Sequence, residues 1–176
     1  FFGIHEDGSW WMPGRERIPP LTVIHLCQLQ LGEDELIANL RTVSTGEERD
    51  PPLPTALDRQ LDDYLQRWTR GIDDPYEQLR SCLAALRRDF IFDRKVAMED
   101  DQALSEFLRE RRGGDHLFAT AAALLARKIG LQSRLVTGFY VPPRLADLAT
   151  GSTNVRAEDV HVWAEVALRD GRWFEI

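Results

Sequence analysis

The sequence predicts an α+β fold in which helices come first and an antiparallel sheet follows. Three observations carry this prediction. After the proline-rich stretch Asp50-Pro51-Pro52-Leu53-Pro54, apolar residues recur at helical spacing as far as Gly130. From Ser133 onward the pattern changes to runs rich in β-formers. Between the last two of these runs stands Asp170-Gly171, a strong hairpin-turn pair.

Residues 1–20 are rich in Gly, Pro and Trp and show little periodicity. Thr22 to Leu31 reads as a strand, with 36–43 as its expected partner. Residues 1–50 are therefore expected to form a small, mostly β lead-in, and residues 51–176 the core. Leu57, Leu61, Leu65 and Trp68 lie on one face of a first core helix that stops at Gly71. Asp74-Pro75 supplies an N-cap and a proline for the first helical position of the next. Tyr76, Leu79, Leu83, Leu86 and Phe90 line its apolar side. A third helix is expected over 101–112, ending at Gly113-Gly114.

The segment from Asp115 to Arg127 opens directly after those glycines and carries Ala119, Ala121, Ala122, Ala123 and Ala126. Small residues around a helix allow close approach on several sides, as for a central helix packed on a sheet. Strands are expected at 133–141, 160–168 and 172–176, with a polar loop of about fifteen residues between the first two, longer than most connections.

Composition narrows the function classes. The 176 residues carry a net charge of −7, which argues against a nucleic-acid partner, since that needs a basic face. No apolar run approaches the ~18 residues that span a bilayer. The sequence opens at Phe1-Phe2-Gly3 and reads as an excised or processed segment, so any membrane contact is expected through segments outside it. Cys27 and Cys82 are too few and too far apart for a disulfide framework or zinc site, and read as small buried hydrophobes.

Four groups of residues carry a family resemblance. Gly113-Gly114-Asp115 with Phe118-Ala119 opens the Ala-rich helix. Leu135-Val136-Thr137-Gly138-Phe139-Tyr140 follows on a strand. His161-Val162-Trp163-Ala164-Glu165-Val166 and Gly171-Arg172-Trp173-Phe174 complete the order. In order and spacing these resemble the transglutaminase-like superfamily, whose fold is that of papain-like cysteine proteases. Upstream, Pro75-Tyr76-Glu77 and Asp89-Phe90-Ile91-Phe92-Asp93 look like the bacterial membrane-associated members.

The resemblance implies a catalytic thiolate at the helix start, where amide dipoles favour an anion. It also implies an imidazole on the facing strand and a carboxylate that orients it. The helix-start position is Asp115, and the imidazole is His161. The orienting acid belongs just after Ile176, where the sequence given stops, so the core reads as C-terminally incomplete. Glu175 is expected on the opposite face of its strand, a poor substitute. A carboxylate suits a helix start, but attack on an amide would form an anhydride and expel a poor leaving group. Asp115 and His161 are instead expected to attract each other as a pair.

Three functions follow. The main reading is a catalytically inactive module that binds peptide or protein, extracytoplasmic by resemblance, with no cofactor and no metal. The second is an active acyltransferase or amide hydrolase working through Asp115. The third is a metal-dependent hydrolase using Asp115, His116 and His161, against which adjacent residues at a helix start diverge by about 100°. Trp10, Trp11 and the 142–158 loop are candidates to flank a groove, with a packed lead-in and a solvated loop as the preferred account.

Overall fold

The computed structural model describes residues 3–4, 10–11, 33–42, 52–95, 102–139 and 159–176. Its backbone divides into two compact units, Phe1–Leu31 and Gly32–Ile176. In the first, β1 (Gly3–Ile4) pairs antiparallel with β2 (Trp10–Trp11), Gly3 opposite Trp11. The strand expected over Thr22 to Leu31 and the 142–158 loop lie outside the described residues.

The second unit opens with α1 (Glu33–Asn39), which corrects the strand expected over 36–43. Leu36 and Leu40, one helical turn apart, are both buried, and that spacing suits a helix better than a strand. The chain then extends, with isolated bridges from Leu40 to Leu168 and from Thr42 to Leu131. These bridges tie the end of the 33–42 segment to the core.

Next come α2 (Thr55–Trp68), α3 (Pro75–Asp89), α4 (Ala103–Glu110) and α5 (Asp115–Lys128). Asp74 caps α3, its carboxylate accepting from the Glu77 N–H at 2.9 Å, with Pro75 at the first position. Helix α5 is the hub, because it packs on α2, α3 and α4 and on the sheet. Ala121, Leu125 and Ala126 are fully buried on it. The apolar stripes of the other helices meet there through Leu61, Leu86, Phe107 and Leu108. Phe90 lies 4.9 Å from Phe107 and 6.2 Å from Phe118, within the range of favourable tilted ring pairs.

Two strand pairings complete the unit. Short β3 (Ile91–Phe92) runs parallel to β4 (Arg112–Gly113), a pairing absent from the sequence reading. It is closed by the Asp93–Arg112 ion pair at 2.6 Å. The main sheet is antiparallel in the order β5 (Ser133–Phe139), β6 (Val160–Ala167), β7 (Trp173–Glu175). Alternation puts Val162, Ala164 and Val166 on the face that meets α5, and His161, Trp163 and Glu165 on the other. At the far end of α5, Arg127 donates to Ser133, whose hydroxyl donates to the Ala123 carbonyl at 2.8 Å. The start of β5 is thereby fixed to the helix. Lys128 pairs with Asp58 and Asp62 of α2.

Gly113 is where the fold admits no side chain. A Cβ there would stand 2.7 Å from both Leu117 and Phe107, well inside carbon–carbon contact distance. Gly113→Ala is therefore expected to destabilise the domain by about 1–3 kcal/mol, the usual cost of overpacking. Urea unfolding measures this; a loss below about 0.5 kcal/mol would show that the α4–α5 junction yields freely.

Candidate functional site

The site forms where α5 begins beside β6. Gly114 precedes the helix in an extended conformation and Asp115 is its first residue, so the carboxylate stands at the positive end of the helix. Its Oδ1 accepts the backbone N–H of His116 at 2.9 Å. Its Oδ2 lies 2.8 Å from Nδ1 of His161 and 3.4 Å from the backbone nitrogen of Val162.

That second oxygen takes the place of a strand. Along one edge of β6, Ala164 C=O accepts the Ile176 N–H at 2.9 Å. Two residues earlier, the Val162 N–H on the same edge turns to the Asp115 carboxylate. Asp115 thus reaches round the sheet edge, from the helix-covered face to the ring of His161 on the other.

The structure therefore brings Asp115 and His161 together. Burial works against the Asp115 anion, but the hydrogen bonds from His161, His116 and Val162 outweigh it. Its carboxyl is held below the ordinary value. An ionised carboxylate has no proton to give, so the hydrogen between the two groups sits on Nδ1 of His161.

His116 stands apart. Its Nδ1 is 3.8 Å from Asp115 Oδ1, beyond hydrogen-bond length, and its side chain is part-exposed. Among the described residues no group of three His, Cys, Asp or Glu side chains converges on one point, so the metal-hydrolase reading has no ligand set there. Trp10 and Trp11 form β2 of the other unit.

Glu175 requires a correction. It lies directly opposite Glu165, so it shares the sheet face of His161 and does not point away from it. Four residues of β6 still separate that register from His161, roughly 13 Å at strand rise. It therefore remains a poor orienting acid.

The sequence reading missed the surroundings of His161. The Trp163 ring lies nearly parallel to the imidazole, at 20° with centroids 6.3 Å apart. Its Nε1 donates to Glu165 Oε1 at 3.0 Å. The other Glu165 oxygen pairs with Arg134 at 2.8 Å, and that guanidinium covers the Trp173 ring at 4.1 Å. The i, i+2, i+4 spacing of His161, Trp163 and Glu165 was a visible signal that these three share one face. Exposed apolar side chains lie near the site. Phe92 (54% exposed) pairs with Gly113 just ahead of α5, while Phe139 (55%) and Val160 (44%) face each other one register pair from His161, on the other face of the sheet from its ring.

Comparison with known proteins fits this geometry. A sequence profile described as the transglutaminase-like superfamily matches residues 62–176. The chain belongs to that superfamily. Transglutaminase-like architecture is also what the solved structures share with it. The periplasmic domain of TgpA from Pseudomonas aeruginosa, bound to ethylmercury, aligns at 19% identity with a TM-score of 0.53, covering 72% of this chain and 45% of that one. A second structure of that domain gives 19%, 0.51, 74% and 43%. A candidate cysteine protease from Cytophaga hutchinsonii gives 14% and 0.55, covering 80% and 46%. At these identities the likeness shows the fold alone, and the chain spans less than half the length of each. No curated protein matches the sequence.

The lowered Asp115 value sets a pH dependence. The carboxyl is more acidic folded than unfolded, so its stabilising effect is complete above about pH 4. It fades as the pH falls through the lowered folded value. Asp115→Asn should remove this component, giving a flatter stability profile below pH 4 than the native chain. Urea midpoints measured across that range check this; parallel profiles for the two proteins would contradict it.

Proposed function

We propose that this transglutaminase-like domain has lost the thiol chemistry of its family and acts as a binding module for peptide or protein. The observation that carries the reading is the hydrogen-bonded Asp115–His161 pair at the helix start, where the family resemblance calls for the nucleophilic thiol. A thiolate attacks an amide to give a thioester, which an amine or water then resolves. The same attack by Asp115 would give a mixed anhydride of higher energy than the amide consumed. The lowered Asp115 value also makes it a weaker nucleophile and a poor proton donor.

Cys82 is no replacement. It is fully buried on the inner face of α3, and burial pushes its thiol up to about 11.

The exposed Phe92, Phe139 and Val160 support binding, because exposed apolar side chains are what an extended peptide can cover. The acidic balance of the chain speaks against nucleic acid as ligand. An extracytoplasmic setting is supported by the likeness to a domain described as periplasmic. Among the described residues no helix is long and apolar enough to cross a membrane, so attachment would come through other segments.

The protein should incorporate no fluorescent amine into a glutamine peptide. Turnover lost in Asp115→Ala but kept in Cys27→Ala and Cys82→Ala would overturn the inactive reading. Asp115→Cys should create a thiol that iodoacetamide alkylates near neutral pH faster than a free cysteine of pKa about 8.5, with His161→Ala slowing it. Binding is read on a displayed random-peptide library. Enrichment that disappears in Phe139→Asp supports the module, and a library without enrichment contradicts it.

A further inference from the structure

We propose that Gly138 and Glu165 are positioning residues for His161, acting through the indole of Trp163. The inference rests on the reading above that Asp115 and His161 mark the family's site. It adds what holds the imidazole against that carboxylate.

Gly138 faces His161 across β5 and β6, and Trp163 lies diagonally across from it on the same sheet face. A Cβ on Gly138 would stand 2.6 Å and 2.9 Å from two carbons of the Trp163 six-membered ring. The edge of the indole therefore abuts bare backbone at Gly138, and any side chain there would displace it. Its opposite end is tethered, because Nε1–H donates to Glu165 Oε1 at 3.0 Å.

Glu165 is itself held. Arg134 Nε donates to its second oxygen at 2.8 Å, and the Arg134 guanidinium is stacked on Trp173. A close-fitting socket at one edge and a fixed tether at the other hold the indole in place, nearly parallel to the imidazole. Asp115 holds the imidazole at Nδ1. The indole forms an aromatic wall beside the ring and limits how far it can turn.

The test uses nuclear magnetic resonance of the imidazole protons in the full chain. There are four histidines, so His161 is assigned by comparison with His161→Gln. A nearby indole displaces those protons by its ring current, which reports orientation and not overall stability. Gly138→Ala should shift the His161 signals while leaving those of the other histidines in place. The same change made in Trp163→Leu should produce no further shift, because the wall it acts through is gone.

Glu165→Gln keeps an oxygen for the Trp163 N–H and should preserve the native signals, whereas Glu165→Ala should displace them. The Glu165 variants decide the matter if Gly138→Ala does not fold. A folded Gly138→Ala that lowers the melting temperature but leaves the His161 signals unmoved would overturn the proposal. So would an equal shift with and without Trp163, or Glu165→Ala signals identical to native. In Asp115→Cys, added Gly138→Ala should slow alkylation several-fold. An Asp115→Cys thiol that stays inert in every background would count against the reading of the site, whereas the native-chain signals judge the positioning residues separately.

Discussion

One carboxylate joins the helix hub of this domain to its sheet. Helix α5 is buried on most sides, and its first residue, Asp115, receives hydrogen bonds from its own helix and from two groups of β6. The Val162 N–H would otherwise need another acceptor at that sheet edge, and unsatisfied backbone groups are costly wherever water is excluded. The negative charge also complements the positive end of α5, as Arg127 and Lys128 complement the other. Packing of α5 on the sheet then follows from the contact with β6 at one end and a second, from Arg127 to Ser133 of β5, at the other.

On the proposed reading, that arrangement explains how a nucleophile position can be taken over without loss of the fold. The demands of a thiolate at this place are dipoles that favour an anion and a nearby imidazole that shares its proton. A carboxylate is served by the same features, and more of its charge is satisfied because it has two oxygens to place. On that reading, reactivity alone changes. The electron pair that would attack a carbonyl is shared among three donors, and the anhydride it would form has no thioester-like stability.

Much of this was legible in the sequence, for identifiable reasons. The breaks at Gly113-Gly114 and Gly130 bracket α5, and its alanines announced a helix packed on several sides. Asp74-Pro75 placed the start of α3, and the His-x-Trp-x-Glu alternation placed β6. The strand expected over 36–43 became the helix Glu33–Asn39 because two leucines one turn apart found a core, which local β-propensity does not register. The β3–β4 pairing was hidden because two-residue strands leave no periodic trace. Within the site, motif order picked out Asp115 and His161 and proximity followed. The close contact of Trp163 with Gly138 depends on register, which only the paired strands reveal. The face of Glu175 was misread for the same reason.

The central claim is that Asp115 and His161 act as one unit. A double-mutant cycle measures this directly, with Asp115→Asn, His161→Gln and the combined variant unfolded in urea near neutral pH. A charge-assisted hydrogen bond in a partly buried setting should give a coupling of about 1–3 kcal/mol, so the double variant loses clearly less than the two single losses together. Losses that add to within about 0.5 kcal/mol would show two independent side chains, and would contradict the account.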